Sequence, residues 1–469
     1  MKMKTSRRPR ETSITRRAFV QAGTATALTA AAWQRAHGAN ERIGVGIIGF
    51  GLIGRIHTRN FKAQPDVDVV AVAETYQPRR EAAAALVGGN VTPYKDFRKL
   101  LERNDVDAVV VATPDHWHAL MTMMACAAGK DVYVEKPLTL FVREGRWMVE
   151  AAKRHKRVVQ VGTQARSAPH SRKVHDLIRS GYLGKIALVQ CNYFRNVSPG
   201  FGNPPDQPPP PELDWNLWLG TAPDRSYNPN RAIYHFRWFW DYSGGQMTNL
   251  GQHTLDTVHQ CLDLTAPKAV SSSGGRFFLK DNCEVPDTQD VIVEYPDCTA
   301  VCQYRECAAG NMGADMGGLM FVGTRGSLAF SRTGYQVFPD RKRNPVNIVA
   351  EILGGHPVGG PQPVPESALP EYWTGPLEDK SGDWKQQYVL HARNFLDCVK
   401  SRAQPAADLE SGHRVATVCH LANISLRTGR KVSWDAEKEQ IRGDAEANSM
   451  LLRPYRKPWD AVLRSLIAS

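Results

Sequence analysis

The stretch Ile43-Gly44-Val45-Gly46-Ile47-Ile48-Gly49-Phe50-Gly51-Leu52-Ile53-Gly54 joins a short β-branched run to a glycine-spaced turn. Ile43 to Ile48 reads as a buried strand, and a helix is expected from about Ile53 to Ala63. The three glycines of this G-x-G-x-x-G each meet a different physical need. Gly49 permits the tight turn, Gly51 lets backbone N–H groups approach a pyrophosphate, and Gly54 lets the helix pack close to the strand. The motif alone is a weak signal, but here it follows a strand and opens a helix. About 20 residues beyond the last glycine, Glu74 ends the second predicted strand, Val67 to Ala73, where an acid would hold the adenosine ribose. Gly49, Phe50, Gly51, Leu52, Ile53, Gly54 and Glu74 are therefore assigned to a dinucleotide. Glu74 favours NAD because its carboxylate would repel a 2′-phosphate, while Arg79 and Arg80 leave NADP open.

Working outward, strands are predicted at Asp107 to Ala112, Asp131 to Val134 and Val158 to Val161, with helices at His116 to Ala128 and Arg143 to His155. This alternation predicts an α/β fold with a doubly wound parallel sheet, helices on both faces. Beyond it come a helix, Ser171 to Ser180, a strand, Ile186 to Phe194, and a proline-rich loop, Pro199 to Pro211, expected at the surface as a cleft rim or an oligomer contact. Further strands are expected at about Ala269 to Leu279, Thr288 to Tyr295, Cys298 to Glu306 and Leu319 to Phe330. Residues 340–383 read as a long irregular excursion, and helices Asp383 to Ser401 and Glu410 to Thr428 close the fold.

With 469 residues and 42% hydrophobic content there is room for about two to three globular domains. The net charge of +12 is concentrated at the N-terminus, where residues 1–38 hold eight Lys/Arg against one Glu. The remainder has no basic stripe with interleaved aromatics, which argues against nucleic-acid binding. Paired Arg16-Arg17 before Phe19, an apolar run from Ala22 to Trp33 and small residues around Ala36 to Ala39 read as a twin-arginine export signal. The run is too short to cross a bilayer, which takes ~20 apolar residues. A periplasmic or otherwise exported protein is expected, with no membrane association after signal removal and the export machinery as a partner. The nine cysteines are odd in number and lack C-x-x-C pairs, so neither a disulfide framework nor a metal site is expected.

Ala112-Thr113-Pro114-Asp115-His116-Trp117-His118 and Val134-Glu135-Lys136-Pro137-Leu138 resemble the Gfo/Idh/MocA family, the group of glucose-fructose oxidoreductase and inositol dehydrogenase. The resemblance runs from about Arg42 to near Arg427. It implies a Rossmann domain, residues 39–163, followed by an α/β domain with an open, mostly antiparallel sheet, residues 164–435, and leaves 436–469 as a C-terminal extension. From position alone, Lys136 ends a parallel strand, the edge where such sheets bind ligands, and could stabilise a developing alkoxide.

Gly244-Gly245-Gln246-Met247-Thr248-Asn249-Leu250-Gly251-Gln252-His253 matches the family's G-G-x-x-x-D-x-x-x-H pattern, with Asn249 where many members have Asp. The spacing puts Asn249 and His253 on one helical face. The resemblance makes His253 the catalytic base, expected to titrate near neutral pH. Thr113, Pro114, His116, His118, Glu135, Lys136 and Gln164 are carried over as cofactor contacts. Arg166, Tyr193 and Trp240 are candidates for sugar contacts.

Three functions compete on these residues. The first is an NAD(P)-dependent oxidoreductase acting on a sugar, polyol or glycoside hydroxyl, a homo-oligomer being expected. The second is a redox-neutral NAD-dependent glycosidase, and the third a non-catalytic binding protein retaining the fold. Export argues for a tightly bound cofactor, because free nicotinamide nucleotide is expected to be scarce outside the cytoplasm.

Overall fold

The computed structural model describes residues 42–89, 91–308, 318–342, 352, 354 and 371–468. The export signal read in residues 1–38 and most of the irregular excursion lie outside these residues. Strands β1 (Ile43–Ile48), β2 (Val67–Ala73), β3 (Thr92–Tyr94), β4 (Ala108–Val111), β5 (Asp131–Val134) and β6 (Val159–Val161) form one sheet in the order β3-β2-β1-β4-β5-β6. Every pairing in it is parallel. β3 escaped the sequence reading because three residues centred on Pro93 carry no periodicity, and proline is tolerated there only because the strand is at the edge. Residues of β1, β4 and β5 are buried on both faces, as a doubly covered parallel sheet requires.

Both faces of this sheet are completed by distant parts of the chain. On one face, Ala392, Phe395 and Leu396 of the helix Trp384–Ser401 join Val45, Ile47 and Phe61 in a single core. On the other, Trp459 and Leu463 of the last helix, Trp459–Ala468, pack with Leu120, Met148 and Val149. Burying each such large apolar side chain stabilises the fold by about 1.5–3 kcal/mol.

The second sheet contains β7 (Ile186–Phe194), β8 (Ala269–Gly275), β9 (Thr288–Glu294), β10 (Thr299–Arg305), β11 (Leu319–Gly323), β12 (Gly326–Ser331), β13 (Gly334–Pro339), β14 (Leu377–Asp379), β15 (Val432–Asp435) and β16 (Gln440–Ile441). Its order is β14-β13-β12-β11-β7-β10-β9-β8-β15-β16. Only β7 and β10 run parallel; the other pairings are antiparallel. Ala300, Cys302 and Tyr304 of β10 point inward, against helices Gly251–Leu262 and Leu409–Thr428.

Two predicted strands end differently. The single strand expected at Leu319 to Phe330 is a hairpin, β11 and β12, turning at Thr324-Arg325. The strand expected to reach Leu279 stops at Gly275 because the Asp287 carboxylate accepts from the amides of Phe277, Phe278 and Leu279, turning the chain off the sheet. All nine cysteines are free thiols. Among the described residues no helix is long and apolar enough to cross a membrane, and no His/Cys/Asp/Glu group could hold a metal.

Candidate active site

A groove opens at the carboxyl ends of β1 and β4, lined by Gly49, Gly51, Leu52, Ile53, Glu74, Thr113 and Pro114, the edge at which such sheets bind ligands. Gly49 has φ +90°, the left-handed half of conformational space, and a Cβ at Gly54 would sit 2.1 Å from the Gly49 carbonyl oxygen. The helix Leu52–Lys62 starts at Gly51 with no side-chain cap and no acid in its first turn. Its first amides are therefore left for an anionic ligand. Thr113 Oγ1 is buried there without a partner, and nothing lies nearer than 3.7 Å to a Cβ built on Gly51. These features fit a dinucleotide's pyrophosphate. Glu74 lines the groove with its carboxylate accepting from the amides of Phe50 at 2.8 Å and Tyr76 at 3.0 Å, so it is held in place with lone pairs left for a ribose. Phe50 itself is buried and contributes its backbone.

The far wall comes from the second half of the chain. Leu217, Trp218, Tyr234, Phe236 and Arg237 line the same groove. This segment is fastened over the nucleotide side by Gln77 N–H donating to the Glu212 carbonyl at 3.0 Å and by a Lys95–Asp214 ion pair at 2.9 Å. Arg456 donates to the Gly220 and Asn216 carbonyls. The segment that follows the proline-rich loop is thus a roof over the groove.

Lys136 stands at the end of β5, its Nζ donating at 2.9 Å both to the Asn249 backbone carbonyl and to Asn249 Oδ1. The helix carrying Asn249 and His253 is interrupted at Leu250, between Gly245–Asn249 and Gly251–Leu262, and the carbonyl left over at Asn249 is the one Lys136 takes. Burial pulls the Lys136 ammonium down to about 8, with Glu135 opposing and Arg237 reinforcing the shift. His253 does not titrate near neutral pH as expected. Burial, then the charges of Lys136 and Arg332, push its imidazole well below the usual range, so it stands neutral beside a cation.

Several predicted contacts have other work. Glu135 is buried, its Oε1 bound by His57 Nε2 at 2.7 Å and Gln164 Nε2 at 2.9 Å, its Oε2 by the Lys136 amide. Burial opposes ionisation of Glu135, but the His57 hydrogen bond and neighbouring positive charges outweigh it and lower its pKa. Glu135 and Gln164 thus brace Lys136 from beneath instead of lining the groove. His118 places Nδ1 2.6 Å from the Pro137 carbonyl and Nε2 2.9 Å from that of Thr113, tying the ends of β4 and β5 together. His116 packs among Trp117, Trp218 and Tyr242 and meets the Trp218 carbonyl; burial drives its imidazole down to about 3. Arg166 is not in the cleft. Its Nε bonds both oxygens of buried Asp256, because a guanidinium enclosed by helix packing needs a carboxylate. Trp240 lies under the Arg427 guanidinium at 5.1 Å, and Tyr193 is half-buried near Arg195 and Glu306.

The sequence reading missed His57, Gln246, Glu306, Arg237 and Arg332. His57, one helical turn after Gly54 on the first helix, could have been noticed as a buried-face polar residue. Arg237 and Arg332 are half-buried, act electrostatically on Lys136, and have no ion pair among the described residues. They add positive charge around Lys136.

Comparison with known proteins bears on the family and the fold. Residues 43–163 match the model of an oxidoreductase family with an NAD-binding Rossmann fold, and residues 170–272 and 361–461 match the C-terminal alpha/beta domain of the same family. The chain is 30% identical over 158 residues to the rhizopine catabolism protein MocA of Rhizobium meliloti, covering 34% of this chain and 49% of that protein. It is 37% identical over 166 residues to inositol 2-dehydrogenase 4 of Saccharopolyspora erythraea, covering 34% and 48%. The chain thus spans about half the length of the curated relatives it matches. Levoglucosan dehydrogenase in complex with NADH and levoglucosan superposes with a TM-score of 0.61 at 20% identity, over 84% of this chain and 99% of that one. That likeness establishes a shared fold.

Proposed function

Because the chain belongs to the Gfo/Idh/MocA family of oxidoreductases, we propose that it moves hydride between NAD and a secondary hydroxyl of a sugar, polyol or glycoside. The observation that carries this reading is Lys136, whose ammonium stands at the strand edge beside the dinucleotide groove and against the Asn249–His253 helix. Bound NAD would supply the hydride acceptor. Lys136 then donates a hydrogen bond to the substrate oxygen and stabilises it as negative charge develops. Neutral His253 has a free lone pair with which to take the hydroxyl proton. Glu135, His57 and Gln164 hold Lys136 in place.

The roof favours a second, finer reading. A groove walled by the 212–237 segment suits a cofactor that is kept and recycled within each turnover, as in a redox-neutral glycosidase that oxidises, eliminates, hydrates and re-reduces. Such retention matches the export expected from the N-terminal sequence. Native mass spectrometry of protein purified without added nucleotide tests retention, and release of NADH from polyols and glycosides tests the reaction. Lys136→Met should lower kcat by about 10²–10³-fold with nucleotide binding intact. Unchanged kcat would remove Lys136 from the chemistry. Protein that emerges free of nucleotide and reduces added NAD stoichiometrically with polyol would leave the simple dehydrogenase and end the redox-neutral reading.

A further inference from the structure

Behind Lys136 runs a chain of hydrogen bonds whose direction is fixed at its far end. Lys136 Nζ donates to Asn249 Oδ1 at 2.9 Å, Asn249 Nδ2 donates to Gln246 Oε1 at 3.1 Å, and Gln246 Nε2 donates to Glu306 Oε1 at 2.6 Å. Glu306 lies just beyond β10, 3% exposed, and takes Arg195 Nε on both oxygens at 2.9 and 3.0 Å. Each amide can face either way, because it offers an oxygen on one side and an NH₂ on the other. An ionised carboxylate can only accept. With Glu306 at the end, Gln246 must turn its NH₂ outward, Asn249 must turn its NH₂ toward Gln246, and an oxygen is left for Lys136.

We propose that Glu306 is a positioning residue that acts through Gln246 to present Asn249 Oδ1 to Lys136, holding the lysine as a charged donor at the reacting oxygen. The inference rests on the reading of Lys136 as the group at that oxygen, but the wire itself can be tested without substrate. The other charged and titratable groups acting on Lys136 are Glu135, Asp115, Arg237, Arg332 and His253, none of which belongs to the chain.

Glu306→Gln replaces an acceptor-only end with one that can also donate, so both amides can reverse and set an NH₂ against the ammonium. Gln246→Met cuts the wire but leaves the Arg195–Glu306 ion pair intact. Following the Lys136 titration by NMR of 13Cε-labelled lysine, assigned with Lys136→Arg, should show proton affinity about tenfold weaker in either variant. The high-pH limb of kcat should move down by the same factor. Asn249→Asp cannot present an NH₂, so in that background the same two substitutions should change Lys136 proton affinity less than about twofold. Tm and nucleotide affinity identify any variant that fails to fold, and Gln246→Met stands in if Glu306→Gln does. A Lys136 titration that ignores Gln246→Met, or one that shifts equally with Asp at 249, overturns the proposal. A shifted titration with no substrate turnover anywhere would instead spare the wire and strike the proposed reaction.

Discussion

On the nucleotide side of the cleft the partners are near one another in sequence, Phe50 and Glu74 being 24 residues apart, whereas on the lysine side Lys136 reaches Asn249 across 113 residues and Gln246 reaches Glu306 across 60. The nucleotide side works through backbone: a left-handed glycine, a close helix and uncapped amides. The lysine side works through side-chain polarity, where each group must face one way for the next to be satisfied. The first can be specified by a short motif, while the second needs two sheets to be assembled first. Yet the two sides are not independent bodies, since helices 384–401 and 459–468 cover the nucleotide sheet from the far end of the chain.

Acid should test that coupling with the largest effect. His116 and His259 are held down to about 3, His391 and His420 to about 4, in each case chiefly by burial. Their folded values lie below the ordinary 6.5 of the unfolded chain. Their contribution is complete above about pH 6.5 and is lost as pH falls toward 4, because the unfolded state then binds more protons. The four together should cost roughly 5 kcal/mol per pH unit in that window. His391 packs against Tyr133 of the nucleotide sheet and His259 meets Tyr295 beside the other, so urea unfolding followed by fluorescence and far-UV circular dichroism at pH 7 and 5.5 should give one coincident transition at both. Two separated transitions would show that the chain's returning helices do not bind the halves into one unit.

Trp459→Ala attacks the same coupling at one point. Trp459 is buried, edge-on to Trp117 at 4.8 Å and stacked on Phe97 at 6.3 Å, and both partners line the nucleotide groove. Removing it should destabilise by about 3–5 kcal/mol in urea unfolding and weaken nucleotide binding. A loss below 1 kcal/mol would mean that the last helix docks without supporting the groove.

These contrasts also explain what could be read from the residues. The nucleotide loop was legible because Gly49, Gly51, Gly54 and Glu74 sit at fixed offsets from a strand that declares itself by six consecutive buried residues. Lys136 and Asn249 were named separately, and the structure brings them within 2.9 Å. Glu306 was invisible because a charged residue at a strand end looks solvated until the strand's neighbours are known. Arg166 misled for the mirror reason: an arginine after a strand end suggests a ligand contact, but its carboxylate, Asp256, is 90 residues away on a helix. His116 and Gln164 show that a polar residue near a cleft can equally brace the cleft from behind.

The smallest effect concerns which nucleotide the legible side prefers. Glu74 lines the groove beside Arg79, whose guanidinium has no ion pair among the described residues, while Arg80 is occupied in donating to the Glu74 carbonyl at 2.8 Å. A carboxylate at this position repels a 2′-phosphate, and a guanidinium without it attracts one. Glu74→Ala should therefore shift the ratio of NADP to NAD affinity about tenfold toward NADP, or about 1.4 kcal/mol. The substitution also frees the Phe50 amide, which changes affinity for both nucleotides alike, so the ratio is the quantity to measure and neither constant alone. Arg79→Ala in the Glu74→Ala background should return most of the shift, since it removes the partner a 2′-phosphate would find. Calorimetric titration of the three proteins with both nucleotides decides it: a ratio that ignores Glu74→Ala would place the ribose away from Glu74, and one that shifts but ignores Arg79→Ala would leave repulsion by Glu74 as the whole of the discrimination.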